Sequence, residues 1–236
     1  MINVNTDYTK TEIYQIYYDV EQKNSLMEGD FINYLNEIVS VNFENDLIKN
    51  LIPQTNENTE WVGLFSFKAK NKIKGFSYEK LDYYCEKYNK SDVDIISYDP
   101  QNWWWPRHRK PTSLRNSHIS IKRAFDNLIF HLIKQKLIPN KHYCIGKQNF
   151  IYSNFFMARR EVYLDYINKL LIPAIELCEK HPKIRKQCNR PAGKYQVAPN
   201  FYKTTGLNYV SKNTFILERL INVYIEAFDI NKIMKF

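Results

Sequence analysis

Glycine is scarce in this chain: 6 among 236 residues. Few positions are therefore available for a phosphate-cradling loop. No G-x-x-x-x-G-K-[ST] run is present, and no G-x-G-x-x-G follows an apolar stretch. Cysteine is rarer still. The 4 copies (Cys85, Cys144, Cys178 and Cys188) are too few and too scattered for a disulfide scaffold. No run approaches the roughly 20 apolar residues of a membrane span, and no apolar leader opens the chain. Repeats and low-complexity tracts are also missing, and no Ser-His-Asp order can be assigned. These absences set an expectation of one domain over residues 1–236, in a reduced cytoplasmic protein that is at most peripheral to the inner face of a membrane.

Aromatic residues and positive charge are abundant. The hydrophobic fraction is 44%, as in globular proteins, and aromatics make up 15%, with 18 tyrosines. Such a composition excludes disorder. The formal charge of +9 favours anionic partners: nucleic acid, acidic lipid headgroups or a diphosphate-bearing small molecule.

β-Branched and aromatic runs predict strands at 13–18, 61–67, 92–97 and 149–158. Helical periodicity predicts helices over 43–52, from Ser77 through Tyr88, from Ser117 through Leu132, over 160–172 and over 214–228. Pro173 should kink or end the fourth helix, and residues 181–213 read as loop. Alternating strands and helices predict an α/β fold, a mostly parallel sheet flanked by helices. Ligands of open α/β sheets bind outside the carboxyl ends of the strands. Tyr18 and Asp19, Ser66 to Lys68, and Ser97 to Asp99 occupy those ends.

Several constellations could carry chemistry there. Asp92 and Asp94 flank one residue, a spacing that can hold a divalent cation against a diphosphate. The apolar strand follows this pair instead of preceding it, so a solvated turn explains it as well, and Asp99 is the better-placed carboxylate. Lys68, Lys70, Lys72 and Lys74 follow the second strand and could neutralise a diphosphate, with Lys68 nearest its end. The stretch "NWWWPRHRKP" follows the third strand. Trp103, Trp104 and Trp105 cannot all point into one core if extended, so either one faces a ligand, stacking on a sugar or a base beside Arg107, His108 and Arg109, or one is buried and two pack under the loop. His118 could reach a ligand from a neighbouring helix start, whereas His131 reads as structural. Cys178, His181 and Cys188 match no common zinc spacing.

The segments "WVGLFSFKAKNK" (61–72), "YSNFFMARREVYLDYINKLLIPAIEL" (152–177) and "FILERLINVYI" (215–225) together resemble glycosyltransferase-like proteins of polysaccharide-synthesis loci. That group resembles the GT-A fold. The resemblance implies transfer of a sugar from a nucleotide-diphosphate sugar to a glycan or lipid-linked acceptor, with Mn or Mg as a conceivable cofactor. It implies Glu218 as a carboxylate near the reaction and Ser153, Asn154 and Phe155 on the acceptor side. Combined with the strand ends, the expected donor contacts are Tyr18, Asp19, Lys68, Lys72 and Asp94. The expected catalytic carboxylates are Glu218 and Asp99. Trp103, Trp104, Trp105, His108, His118 and Asn154 are expected at the acceptor, and Asp92 with Asp94 at a metal. Two rival classes stay open, a single-stranded nucleic-acid binder and a non-catalytic carbohydrate-binding protein. The first is disfavoured because 25 acidic residues are interspersed with the basic ones.

Overall fold

A computed structural model describes residues 11–37, 39–73, 75–97, 121–143, 151, 154–192, 202–203 and 205–235. The chain enters through β1 (Thr11–Tyr17) and the short helix α1 (Val20–Lys23). Then come β2 (Ile32–Leu35), α2 (Glu44–Leu51), β3 (Trp61–Ser66), α3 (Ala69–Lys72) and α4 (Tyr78–Lys87). Next are β4 (Ile95–Ser97), α5 (Lys122–Lys134), β5 (Phe156–Arg159) and α6 (Arg160–Tyr166). The rest comprises α7 (Ile172–Lys180), α8 (Pro182–Cys188), α9 (Lys212–Leu217), α10 (Leu220–Ala227) and β6 (Ile233–Lys235).

The strands form one 6-stranded sheet in the order β2-β1-β3-β5-β4-β6. β1 pairs in parallel with β2 and β3, and β4 pairs in parallel with β6. β5 runs antiparallel between β3 and β4. The expected α/β class is observed, but the sheet is mixed. The direction of β5 has an identifiable anchor in Arg159, at its carboxyl end. The Arg159 guanidinium donates to the carbonyls of Tyr88 and Asn89 at 2.7 Å and of Val93 at 3.2 Å, and pairs with Glu60. It also covers the Trp61 ring at 4.3 Å. Those partners all lie at the amino edge of the sheet, so β5 has to finish there.

Period-2 alternation sends side chains to two cores. Tyr14, Ile16, Val62, Leu64, Ile95 and Ala158 face the larger one, built with α2 and α5 to α10. Ile13, Trp61, Phe65, Ile96 and Met157 face the smaller one, with Met27, Phe31, Ile73, Phe76, Leu81 and Cys85. Gly63 sits where β3 and β5 meet. A Cβ there would lie 2.9 Å from both Met157 Cγ and Phe65 Cε2, so no larger residue fits without movement.

Three expectations need correction. Pro173 does not end its helix, because a π-helical stretch (Ile167–Leu171) widens the turns ahead of the ring and joins α6 to α7. Residues 182–188 form α8 where a loop was expected. Pro182 occupies the first helical position and His181 caps the helix, its Nδ1 accepting from the Ile184 amide at 3.5 Å. The single helix expected over 214–228 breaks at Glu218, where the Arg219 amide tightens onto Ile216 and the Asn222 amide onto Arg219.

Scarcity of glycine leaves other residues in left-handed backbone. Phe43, Lys136 and Asp229 have φ of 49°, 59° and 54°. Lys136 follows α5 in a Schellman arrangement, its amide reaching Ile133 O at 2.8 Å and the Leu137 amide reaching Leu132 O at 3.0 Å. Its side chain is exposed, so the strained backbone gains nothing from it. Lys136→Gly should therefore raise unfolding stability by about 1 kcal/mol, since left-handed backbone costs a non-glycine residue roughly 1–2 and glycine's lost freedom offsets part. Urea midpoints with unchanged slope measure it.

Candidate functional site

The strand order reverses between β1 and β3. The chain leaves β1 toward β2 on one side, whereas β3 leads toward the other half of the sheet. Such a reversal opens a crevice outside the carboxyl ends, because the outgoing connections part in opposite directions. Main-chain hydrogen bonds carry the ladder past the strands on both flanks. The Phe67 amide donates to Ile16 O and the Asn36 amide to Tyr17 O, each at 2.8 Å. Tyr18 is thereby held against Phe67, with their rings edge-on at 6.3 Å.

Tyr18 gathers polar contacts at this edge. Its hydroxyl donates to Glu44 Oε1 at 2.6 Å, and its amide donates to Gln22 Oε1 at 2.9 Å. Burial raises the phenol pKa well above 10, and the carboxylates of Glu44 and then Glu218 raise it further. A buried phenol held protonated against the Glu44 carboxylate is a fixed donor. Glu44 opens α2 directly after Phe43, whose left-handed φ aims the start of that helix. Glu218 comes from the opposite side of the chain, at the break between α9 and α10, where its Oε2 lies 3.9 Å from Arg219 Nη1. From there its charge adds to the rise of the Tyr18 phenol pKa, less than Glu44 does.

The other expected donor residues divide. Asp19 is at the same edge but caps α1, with Oδ1 accepting from the Gln22 amide at 2.8 Å and Oδ2 from the Gln22 side chain at 2.7 Å. Lys68 follows β3, exposed, its Nζ 5.4 Å from the Phe67 ring centroid. Asn154 is buried just before β5, whose first residue pairs with Ser97. Ser97 is itself fully buried, and its hydroxyl has no hydrogen-bond partner among the described residues. Beside β2, an open cleft of about 460 Å³ runs from Tyr34 and Asn36 to Phe43, Asp46 and Lys49.

Asp92 and Asp94 lie elsewhere. They precede β4 and therefore sit at the amino edge, across the sheet from Tyr18 and Lys68. With β3 spanning Trp61–Ser66 at about 3.3 Å per residue, one ligand diphosphate cannot touch both sets. Asp92 pairs with Lys232 at 3.4 Å, and the Asp94 amide donates to Lys232 O at 2.8 Å. Burial raises the Asp94 carboxyl pKa, with Lys232 opposing and Glu161 and Asp92 adding to the rise. Both residues line an amino-edge cleft of about 580 Å³ together with Arg159, Arg160 and Glu161. Among the described residues no group of three or more His, Cys, Asp or Glu is arranged to hold a metal ion. Cys178 and Cys188 are buried thiols 3.6 Å apart, and His181 is committed to capping α8 and to the His131 ring at 4.2 Å. Asp99, Trp103, Trp104, Trp105, His108 and His118 lie outside the described residues, as does the side chain of Lys72.

Sequence reasoning missed Glu44. An acidic residue in a first helical turn is ordinary, and only the fold reveals that it meets a tyrosine 26 positions earlier. Compared with models of protein families, with curated proteins and with solved structures, the chain matches none of them. Fold and contacts together define an α/β protein with a six-stranded mixed sheet flanked by helices, in which Tyr18, Asp19 and Lys68 lie at the carboxyl edge where the strand order reverses.

Tyr18→Phe should destabilise the protein by about 1–3 kcal/mol by stranding the half-buried Glu44 carboxylate. Adding Glu44→Gln should recover part of that loss, since the two side chains act as one unit. The folded phenol has the higher pKa, so its stabilisation is complete below pH 10 and fades as pH rises beyond it. The stability difference between wild type and Tyr18→Phe should shrink accordingly in urea titrations at rising pH.

Proposed function

We propose that this chain is a GT-A-type glycosyltransferase, moving a sugar from a nucleotide-diphosphate sugar to a glycan or lipid-linked acceptor. The observation that carries the reading is the Tyr18–Glu44 hydrogen bond at the strand-order reversal, with the Glu218 charge acting on the same phenol and Lys68 exposed just after β3. Glu218 was singled out from the resemblance of "FILERL" to glycosyltransferase-like segments, and Tyr18 from its position after a strand. The action of the Glu218 charge on that phenol supports both assignments.

The chemistry asked of these groups is modest. The donor diphosphate lies along the rim, where the Lys68 ammonium offsets its charge. Glu218 accepts the proton of the acceptor hydroxyl as that oxygen bonds to the anomeric carbon. The bond from that carbon to the diphosphate breaks, and the nucleoside diphosphate leaves with the electron pair. Tyr18, kept protonated, hydrogen-bonds Glu44 and fixes the floor beneath both substrates. Mn or Mg would add charge neutralisation at the diphosphate, but the described carboxylates do not form a group that would hold it at this crevice.

Two substitutions test the reading through different readouts. Lys68→Ala should weaken nucleoside-diphosphate binding by about tenfold, the scale of one charge-assisted contact, read as a smaller thermal shift across a panel of nucleotide-sugars with and without manganese. Glu218→Gln should leave that shift in place while turnover falls by about 100-fold or more, as a base acts only in the transition state. Equal losses of donor binding and turnover in Glu218→Gln would reduce Glu218 to a structural partner of Tyr18. No shift with any nucleotide-sugar would remove the transferase reading.

A further inference from the structure

Helix α8 and its flanks form the most concentrated positive surface among the described residues. Lys180, Lys183, Arg185, Lys186 and Arg190 are all exposed, and residues 180–190 contain no Asp or Glu. Lys180 is paired with Glu176 at 3.2 Å, whereas no carboxylate among the described residues stands within ion-pair distance of Lys183, Arg185, Lys186 or Arg190. Several other surface cations are paired with a neighbouring carboxylate, as in Lys122 with Asp126, Lys169 with Asp165 and Lys49 with Asp46.

An apolar residue borders this surface. α5 packs on α8, with Asn127 Nδ2 donating to Gln187 Oε1 at 2.6 Å and the His131 ring lying 4.2 Å from the His181 ring. Phe130 precedes His131 and is 61% exposed, the most exposed aromatic ring among the described residues, with Lys134 one turn further along α5. Positive groups crowd here closely enough that His181, Lys134 and Lys183, after burial, hold the His131 pKa below its usual value. An uncompensated cationic helix with a water-exposed phenylalanine beside it has the two halves of an interfacial membrane contact. The cations meet lipid phosphates, and the ring reaches the boundary between headgroups and acyl chains. Single-stranded nucleic acid would instead call for a continuous basic groove with several stacking rings, and this surface offers one.

We propose that the α5–α8 face docks on an anionic membrane surface, with Lys183, Arg185 and Lys186 against lipid phosphates and Phe130 at the acyl boundary. This goes beyond the transferase reading and does not rest on it. Arg185 also borders a cavity of about 320 Å³ that reaches Val41 and Asn213, at the entrance to α2. The docked face therefore adjoins the helix that carries Glu44.

Flotation of the purified full chain with vesicles tests the proposal. The vesicles are phosphatidylcholine alone, or phosphatidylcholine mixed with phosphatidylglycerol. The chain should bind the mixed vesicles, bind the neutral ones far more weakly, and release as salt rises. Joint replacement of Lys183, Arg185 and Lys186 by Gln should lower partitioning by on the order of 100-fold, each surface cation contributing a factor of about five. Phe130→Ala should lower it by about tenfold without changing the salt dependence. The control replaces Lys70, Lys87 and Lys90 by Gln. These are exposed cations attached to the opposite face of the sheet, and their loss should matter much less. Circular dichroism of each variant confirms folding, which these exposed positions should not disturb. Equal losses from the two triple variants would overturn a localised surface in favour of diffuse charge. Equal binding to neutral and acidic vesicles would overturn it as well. Binding of a single-stranded oligonucleotide through the same three residues, without vesicle binding, would reassign the surface to nucleic acid.

Discussion

The hydrogen bond from the Phe67 amide to the Ile16 carbonyl extends the pairing of β1 and β3 beyond the last regular residue of β3. Without it the two strands would be free to splay at their carboxyl ends, and Tyr18 would lose the ring it rests on. With it, the chain must depart from β1 and β3 in opposite directions over a fixed gap. α2 then brings Glu44 into hydrogen-bond contact with that tyrosine, and the charge of Glu218 at the α9–α10 junction acts on the same phenol. Each of these elements is ordinary alone. Their coupling follows from strand order, which brings residues from both ends of the chain to one edge.

The two edges of the sheet use charge differently. At the amino edge, Arg159 is spent on structure, tying the end of α4 and the approach to β4 to the finish of β5. Asp92 and Lys232 pair across the same edge. At the carboxyl edge Asp19 and Glu44 are also hydrogen-bonded, but other groups there are not committed in this way. Lys68 is exposed, Ser97 keeps a buried hydroxyl without a partner among the described residues, and Phe43 holds a backbone conformation costly for an aromatic residue. Strained backbone and unsatisfied polar groups persist where surrounding structure over-determines them, and they concentrate at sites of function.

Much of the fold was legible because burial writes a period into the chain. The runs of β1 and β3 alternate between two cores, and α5 repeats its apolar residues at helical spacing, so both types of element were identifiable. β2 and β6 were missed because each is a short edge strand with no fully buried residue, which leaves no pattern to detect. α8 was missed because its seven residues bury only Ile184 and Cys188 and spend the rest on charge. The direction of β5 was unreadable because Arg159 acts through carbonyls some 70 positions away. Of the site, Tyr18, Asp19 and Lys68 were found by their place after strands. Asp94 was grouped with them for the spacing of its carboxylate pair, although it precedes its strand and so falls at the amino edge.

On the proposed reading, a nucleoside diphosphate enters at the reversal between β1 and β3. Hydrogen–deuterium exchange with and without a saturating nucleoside diphosphate tests its location directly, because backbone amides report where opening is suppressed. Protection should concentrate at residues 16–19 and 66–69, while the amino-edge segments 91–94 and 159–161 exchange as before. Protection confined to those amino-edge segments would contradict the account and move the site to the cleft around Asp92 and Asp94.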